Sequence, residues 1–320
     1  MQQTTWGDLM KVKVIMNPVA GRGKAQKAKP LLVETLHSYD CEYHLEETKG
    51  PRHATEIAQN AVKSGFDLII VAGGDGTINQ VVNGMANSKI PLGVVACGTG
   101  NDFAAALGMP ADPVAAVRQI MEGEIQQVDL CRINDQYFIS SAGAGFDGEV
   151  AFTVNQGFRW IRGMTAYLLG ALKTLFTYKP RWIKLTVDGL VIEFRATLVA
   201  VTNAPTYGGG FKVNPGARLN DGLLDICAAE AMSIPGILCR MPLLMVGRHQ
   251  GLKKVKMMKG RNITLESDQL LHCQLDGEVI TDKTFHFTVY PKALLVKGSK
   301  LEPVSNFDLF TEQTASAREA

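Results

Sequence analysis

Residues 68–77 read Leu68-Ile69-Ile70-Val71-Ala72-Gly73-Gly74-Asp75-Gly76-Thr77. The apolar run Leu68 to Ala72 leaves no face for water. It predicts a strand covered on both sides, the habit of parallel sheets flanked by helices. The glycines that follow end the strand and allow positive φ or a close backbone approach to a ligand. Outward from this stretch, 12–16 and 92–96 are further apolar strands and 42–45 is a fourth. Segments 24–38, 53–63, 78–85, 102–107 and 113–121 carry helical periodicity. This alternation predicts an α/β domain over residues 10–125, built on a parallel sheet and completed by 295–320.

After residue 124 the rhythm changes. Short strand-like runs at 136–141, 182–187, 191–202, 223–229, 262–267, 272–275 and 284–290 succeed one another. Turn signals separate them, among them Asp188-Gly189, Asp221-Gly222 and Asp276-Gly277, each readable as a hairpin. An antiparallel β-sandwich over 126–294 is expected, with helical insertions at 160–177 and 233–247. Residues 1–9 read as an extension outside the fold, and 302–320 as a loosely held polar tail.

Composition narrows the function. The 320 residues carry a net charge of +2, so nucleic-acid binding through bulk charge is not expected. Six cysteines form no CxxC pair, which argues against a zinc ribbon or a thioredoxin motif and suits a reducing cytosol. No signal-peptide pattern is visible, and no apolar stretch approaches the ~20 residues that span a bilayer.

Ligands in open α/β sheets bind beyond the carboxyl ends of the strands. Three such ends carry glycine loops: 17–24, 73–77 and 97–102. Helix starts behind them offer free N–H groups, so a phosphate site is expected. Arg22 and Lys24 add countercharge, and Asp75 and Asp102 are candidates to hold magnesium through water. The site is not a Walker A loop, because Ala25 follows Gly23-Lys24. A GxGxxG spacing at Gly143, Gly145 and Gly148 falls in the β-rich half and starts no evident βαβ unit, so it is not read as a dinucleotide site.

Gly73 to Thr77, the segment Gly98-Thr99-Gly100-Asn101-Asp102-Phe103-Ala104, the segment Asn220-Asp221-Gly222-Leu223-Leu224-Asp225 and the segment Leu275-Asp276-Gly277-Glu278 together resemble the diacylglycerol kinase catalytic family, in its soluble bacterial branch. Ala96 departs from the proline usual in that family before the second segment. The resemblance implies an N-terminal nucleotide domain like those of NAD kinase and phosphofructokinase, a C-terminal β-sandwich, and an active site in the cleft between them. ATP would meet Asn17, Pro18, Val19, Ala20, Gly21, Thr48, Gly73, Gly74, Asp75, Gly76, Thr77, Ile78, Asn79 and Thr99. Asp276 and Glu278 match the catalytic segment, and one of them would be the general base. A structural Mg²⁺ would sit on the Asp221 carboxylate and the carbonyls of Arg218 and Leu223, with Asp225 and Asp129 in support. The implied reaction is ATP- and Mg²⁺-dependent phosphorylation of a lipid alcohol, diacylglycerol first. Undecaprenol, a sphingoid base and a catalytically silent regulator stand as alternatives.

Residues 150–187 and 231–265 contain no acidic side chain and gather lysines, arginines and aromatics. They are expected to dock reversibly on an anionic membrane surface, from a cytoplasmic protein at the inner face of the membrane. An exposed strand edge offers a route to a homodimer.

Overall fold

The computed structural model describes residues 9–157 and 164–301; for 155, 157 and 164–168 only the backbone is described. The chain forms two compact units. Of the described residues, unit 1 takes those up to Ala105, Met109–Gln126 and Leu294–Ser299. Unit 2 takes the described residues of Ala106–Gly108 and Gln127–Ala293, with Lys300 and Leu301.

Unit 1 alternates strand and helix: β1 (Met10–Met16), α1 (Ala20–His37), β2 (Cys41–Glu47), α2 (His53–Lys63), β3 (Leu68–Gly73), α3 (Asp75–Met85), β4 (Leu92–Ala96), α4 (Asp102–Ala106) and α5 (Pro113–Glu122). β1 pairs parallel with β2 and β3, and β3 pairs parallel with β4. Every residue of β3 and β4 is buried, as strands covered on both faces require. Truncating a side chain such as Ile70 to alanine would cost about 2–5 kcal/mol. α2 and α3 pack closely because Gly84 has no side chain: a Cβ there would come within 2.5 Å of the Thr55 carbonyl oxygen. α5 starts on Asp112, whose carboxylate accepts the Ala115 N–H at 2.8 Å, with Pro113 in the first turn.

Unit 2 contains β6 (Gln136–Phe138), β7 (Ser141–Gly145), α6 (Phe146–Gly157), α7 (Met164–Thr177), β8 (Arg181–Val187), β9 (Leu190–Thr202), β10 (Leu224–Glu230), α8 (Ile234–Val246), β11 (Val255–Gly260) and β12 (Asn262–Leu275). β5 (Ile125–Ile133) leads into the unit, and β13 (Glu278–Lys297) leads out of it. The order β11-β10-β9-β7-β12-β13 is antiparallel at each step, and β8 bridges β9 to β12. Phe138, Phe194, Phe285 and Phe287 anchor its main core.

Several sequence expectations need correction. The helical insertion expected at 160–177 is preceded by a separate helix, α6, and residues 158–163 lie outside the described residues. Gly143 and Gly145 lie in β7, Gly145 as its last residue, and Gly148 lies in the first turn of that helix, so the GxGxxG spacing does mark a strand–helix junction. Its glycines serve packing, since a Cβ on Gly148 would overlap the His272 carbonyl of β12. β5 and β11 were not expected: β5 carries four polar or charged residues, and β11 has lysines at two of its six positions. Segments 262–267 and 272–275 join in one strand, β12, with an irregular register between Glu266 and Leu271. Asp188-Gly189 and Asp276-Gly277 each close a two-residue hairpin with both φ positive. Asp221-Gly222 does not, because no strand precedes it between Thr202 and Leu224. Expectations for 1–8 and 302–320 lie outside the described residues.

Candidate active site

The register brings four loops to one edge of unit 1. Met16 lies beside Glu47 and Ala72, and Gly73 lies beside Ala96. Asn17, Thr48, Gly74 and Cys97 therefore leave the sheet at the same level. The loops are tied to one another. Asn17 donates its Nδ2–H to Thr77 Oγ1 at 2.9 Å, and the Thr48 N–H donates to the Met16 carbonyl at 2.8 Å. A Cβ on Gly98 would stand 2.5 Å from the Gly74 Cα, so two glycine loops meet backbone to backbone. A Cβ on Gly21 would strike the Cys97 carbonyl oxygen. The Asp75 carboxylate accepts the Asn101 and Phe103 N–H groups at 2.8 and 3.1 Å.

The first loop has an unusual backbone. Gly21, Arg22 and Gly23 are all left-handed, with φ of 57°, 60° and 85°, so the regular part of α1 begins after them. Within this turn the Ala20 N–H donates to the Asn17 carbonyl at 3.0 Å and the Gly23 N–H to the Val19 carbonyl at 3.4 Å, so the loop closes on itself ahead of the helix. Val19, Arg22, Lys24, Thr99 and Gly100 are exposed. Burial pushes the Cys97 thiol up, and the nearby Lys24 ammonium draws it partly back, which locates Lys24 at this edge.

Some expected contacts are not available. Ile78 is fully buried and its N–H donates to the Gly74 carbonyl, and the Asn79 side-chain oxygen accepts from Asn83. Asp75 is held by backbone groups at the start of α4; burial raises its pKa, with Asp102 adding to that rise and the accepted N–H bonds opposing it. Sequence reading passed over Asn101. It is left-handed at φ 59° and its Oδ1 accepts the Gly98 N–H at 2.7 Å, shaping the third loop. The spacing Gly98-x-x-Asn101 is the available signal.

In unit 2 the acidic candidates gather around Cys131, whose thiol is pushed far up by burial and then by Asp129, Asp276 and Asp221. Asp276 is only 4% exposed. Its carboxylate accepts the N–H groups of Ile139, Ser140 and Ser141 at 2.7, 3.1 and 2.9 Å. Glu278 follows at the start of β13 and is half-buried.

Asp221 lies in the loop before β10. Its Oδ1 accepts the Leu223 N–H at 3.0 Å, and its Oδ2 lies 3.4 Å from Lys259 Nζ, which is also 3.6 Å from Asp225 Oδ1. Asp129 is fully buried, and its two oxygens accept the Gly222 and Lys292 N–H groups at 2.7 and 2.8 Å. It braces the Asp221 loop rather than offering free oxygens. Among the described residues no group of three His, Cys, Asp or Glu side chains could hold a metal ion. A cation here would rest on Asp221 and backbone carbonyls, hard oxygen donors that suit Mg²⁺ in type. Arg218 and Leu223 flank Asp221 in that loop, and Lys259 already supplies positive charge to the carboxylate.

Comparison with known proteins agrees with this layout. Residues 11–133 match the diacylglycerol kinase catalytic domain, and residues 140–298 match the YegS C-terminal NAD kinase beta sandwich-like domain. A diacylglycerol kinase of Bacillus subtilis (strain 168) is 30% identical over 273 residues, covering 84% of this chain and 90% of the relative. One from Mycobacterium tuberculosis (strain CDC 1551 / Oshkosh) is 31% identical over 297 residues, covering 90% and 95%. A crystal structure of a candidate diacylglycerol kinase from Bacillus anthracis str. Sterne superposes with a TM-score of 0.75 at 26% identity, covering 92% of this chain and 98% of that one. Likeness of this extent, across both units and almost the full length of each relative, places the chain in the diacylglycerol kinase family and makes it a lipid kinase.

Proposed function

We propose that the chain phosphorylates diacylglycerol to phosphatidic acid with MgATP as phosphoryl donor. The observation that carries the nucleotide site is the mutual locking of the glycine loops at one edge of unit 1, with Gly74 against Gly98 and Gly21 against Cys97. Such a rim holds the loop backbones in fixed positions, so they need no reorganisation at the moment of reaction. In this reading Asn17 to Gly21, Thr48, Gly73 to Thr77 and Thr99 line the nucleotide, and Lys24 and Arg22 neutralise its phosphates. The magnesium carried with ATP would offset negative charge on the transferring phosphoryl group.

The primary alcohol of the lipid attacks the γ-phosphorus. An oxygen–phosphorus bond forms, the bond to the β-phosphate oxygen breaks, ADP leaves, and the alcohol proton passes to a carboxylate. Glu278 is the better-supported acceptor, because three backbone N–H groups already engage the buried Asp276 carboxylate. Asp276 then holds the 139–141 turn beside it. Asp221, with the carbonyls of Arg218 and Leu223, is the proposed seat of a structural cation shared with Lys259.

The test is incubation of the purified protein with γ-labelled ATP, Mg²⁺ and separate diacylglycerol, undecaprenol and sphingoid-base preparations. Labelled phosphatidic acid as the main product supports the assignment. Label in another lipid moves the substrate, and label in none overturns the catalytic reading. Among the described residues no helix is long and apolar enough to cross a membrane, so the acceptor would be met at a surface. On α7, Leu172 and Phe176 are exposed and Lys173 lies between them, which supports docking on an anionic leaflet; the side chains of Arg159, Trp160, Arg162 and Tyr167 lie outside the described residues.

A further inference from the structure

α8 reads Ile234-Pro235-Gly236-Ile237-Leu238-Cys239-Arg240-Met241-Pro242-Leu243-Leu244-Met245-Val246, and none of its residues is buried. An ordinary surface helix turns an apolar stripe inward and a polar face outward. α8 does the reverse on its solvent side. Its exposed residues are Pro235, Leu238, Cys239, Pro242, Met245 and Val246, all apolar or nearly so. At 3.6 residues per turn they fall within an arc of about 120°. Leu238, Met245 and Val246 are 50%, 55% and 57% exposed. The helix is nevertheless well built. Ser233 caps its start by accepting the Gly236 N–H, Gly247 ends it at φ 75°, and Leu244 packs on the small core of Ala200, Tyr207, Val213 and Cys227. Its one charged residue, Arg240, lies opposite the exposed arc and donates to the Gly236 carbonyl.

Cations border the C-terminal end of this face. Arg248, Lys253 and Lys254 follow in sequence and are exposed. Lys212 is beside Gly247, where a Cβ would lie 3.3 Å from the Lys212 Cβ. No acidic residue occurs between Ala231 and Leu265. A second copy of the chain paired through the same face would set these like charges against one another, because a two-fold contact repeats the same patch on both sides. An anionic bilayer answers both features: acyl chains take the apolar arc and headgroups take the cations. We propose that α8 is a membrane seat, lying in the plane of an anionic leaflet with Leu238, Pro242, Met245 and Val246 below headgroup level. This deepens the lipid-kinase reading and rests on it only for its purpose.

Cys239 sits on the arc and is an exposed thiol, so it can carry an environment-sensitive fluorophore once the half-exposed Cys41 is replaced by serine. With phosphatidylglycerol vesicles the emission should shift to the blue and be quenched by lipids brominated near the headgroup. The double variant Leu238→Gln/Met245→Gln should bind such vesicles at least about tenfold more weakly. It should lose activity on vesicle-embedded diacylglycerol in parallel, and keep activity on a short-chain, water-dispersed diacylglycerol. Emission that stays as in water with vesicles present overturns the proposal. So does a blue shift that needs no vesicles and grows with protein concentration, which would assign the face to a second copy. Insertion without phosphorylation of any lipid would uphold the seat and overturn the substrate assignment alone.

Discussion

Arg22 holds φ 60° between two left-handed glycines, a conformation that costs a non-glycine residue about 1–2 kcal/mol. A strained arginine kept at an exposed loop invites a functional reading. Arg22→Gly should raise stability by up to about 1 kcal/mol in urea titration and raise the KM for ATP several-fold. A lower KM would detach Arg22 from the nucleotide. Asp75 makes a pH prediction. Burial raises its pKa in the folded state. Its contribution to stability is therefore full below the unfolded value near 4 and is lost as pH rises through the folded value. Asp75→Asn should flatten that part of the stability–pH curve, while costing about 1 kcal/mol at the α4 start. An unchanged slope would reject the raised pKa. The Asp276 and Glu278 pair separates by two readouts. Glu278→Gln should lower kcat by about 10² or more at unchanged stability. Asp276→Asn should instead lower stability by about 1–3 kcal/mol, since its amide would face N–H donors. Full stability with no turnover in Asp276→Asn would make Asp276 the base.

At the scale of elements, β10 and β11 place Asp225 opposite Lys259, and Lys259 also reaches Asp221. Lys259 is partly exposed while both carboxylates are nearly buried, so its removal leaves two negative charges poorly solvated. Lys259→Met should lower stability by up to about 3 kcal/mol. If Asp221 seats a cation, millimolar Mg²⁺ should restore much of the lost Tm in calorimetry. A Tm indifferent to Mg²⁺ would exclude that seat. The chain signals these partners poorly. Lys259 belongs to a strand of two lysines and two methionines with no alternation to mark it, and only the register pairs it with Asp225.

Across the whole molecule, the last described segment returns to the first unit. Val296 pairs with Leu92 on β4, the Gly298 N–H donates to the Glu124 carbonyl at 2.9 Å, and Gln119 Nε2–H donates to the Gly298 carbonyl at 2.7 Å. Unit 1 thus depends on residues about two hundred positions downstream of its glycine loops. Val296 is 1% exposed, so Val296→Asp should destabilise by more than about 3 kcal/mol and weaken ATP binding, although it lies far from the loops in sequence. Isothermal titration with ATP at unchanged affinity would contradict this dependence.

The sequence alone determined the buried runs at β1, β3 and β4 and the glycine loops behind them. Continuous apolar strands and glycine breaks are local signals, and they survive folding wherever the strand is covered on both faces. It also determined the four segments that carry the family likeness. Tertiary structure alone decided which loops lock together, because Gly74 against Gly98 and Asp75 against Asn101 are contacts between segments over twenty residues apart. It decided that Asp276 is gripped by three amides, that Asp129 braces a loop, and that α8 turns its apolar side to solvent. Burial and hydrogen-bond partners belong to the folded chain, and no spacing along the sequence encodes which of two neighbouring carboxylates ends inside.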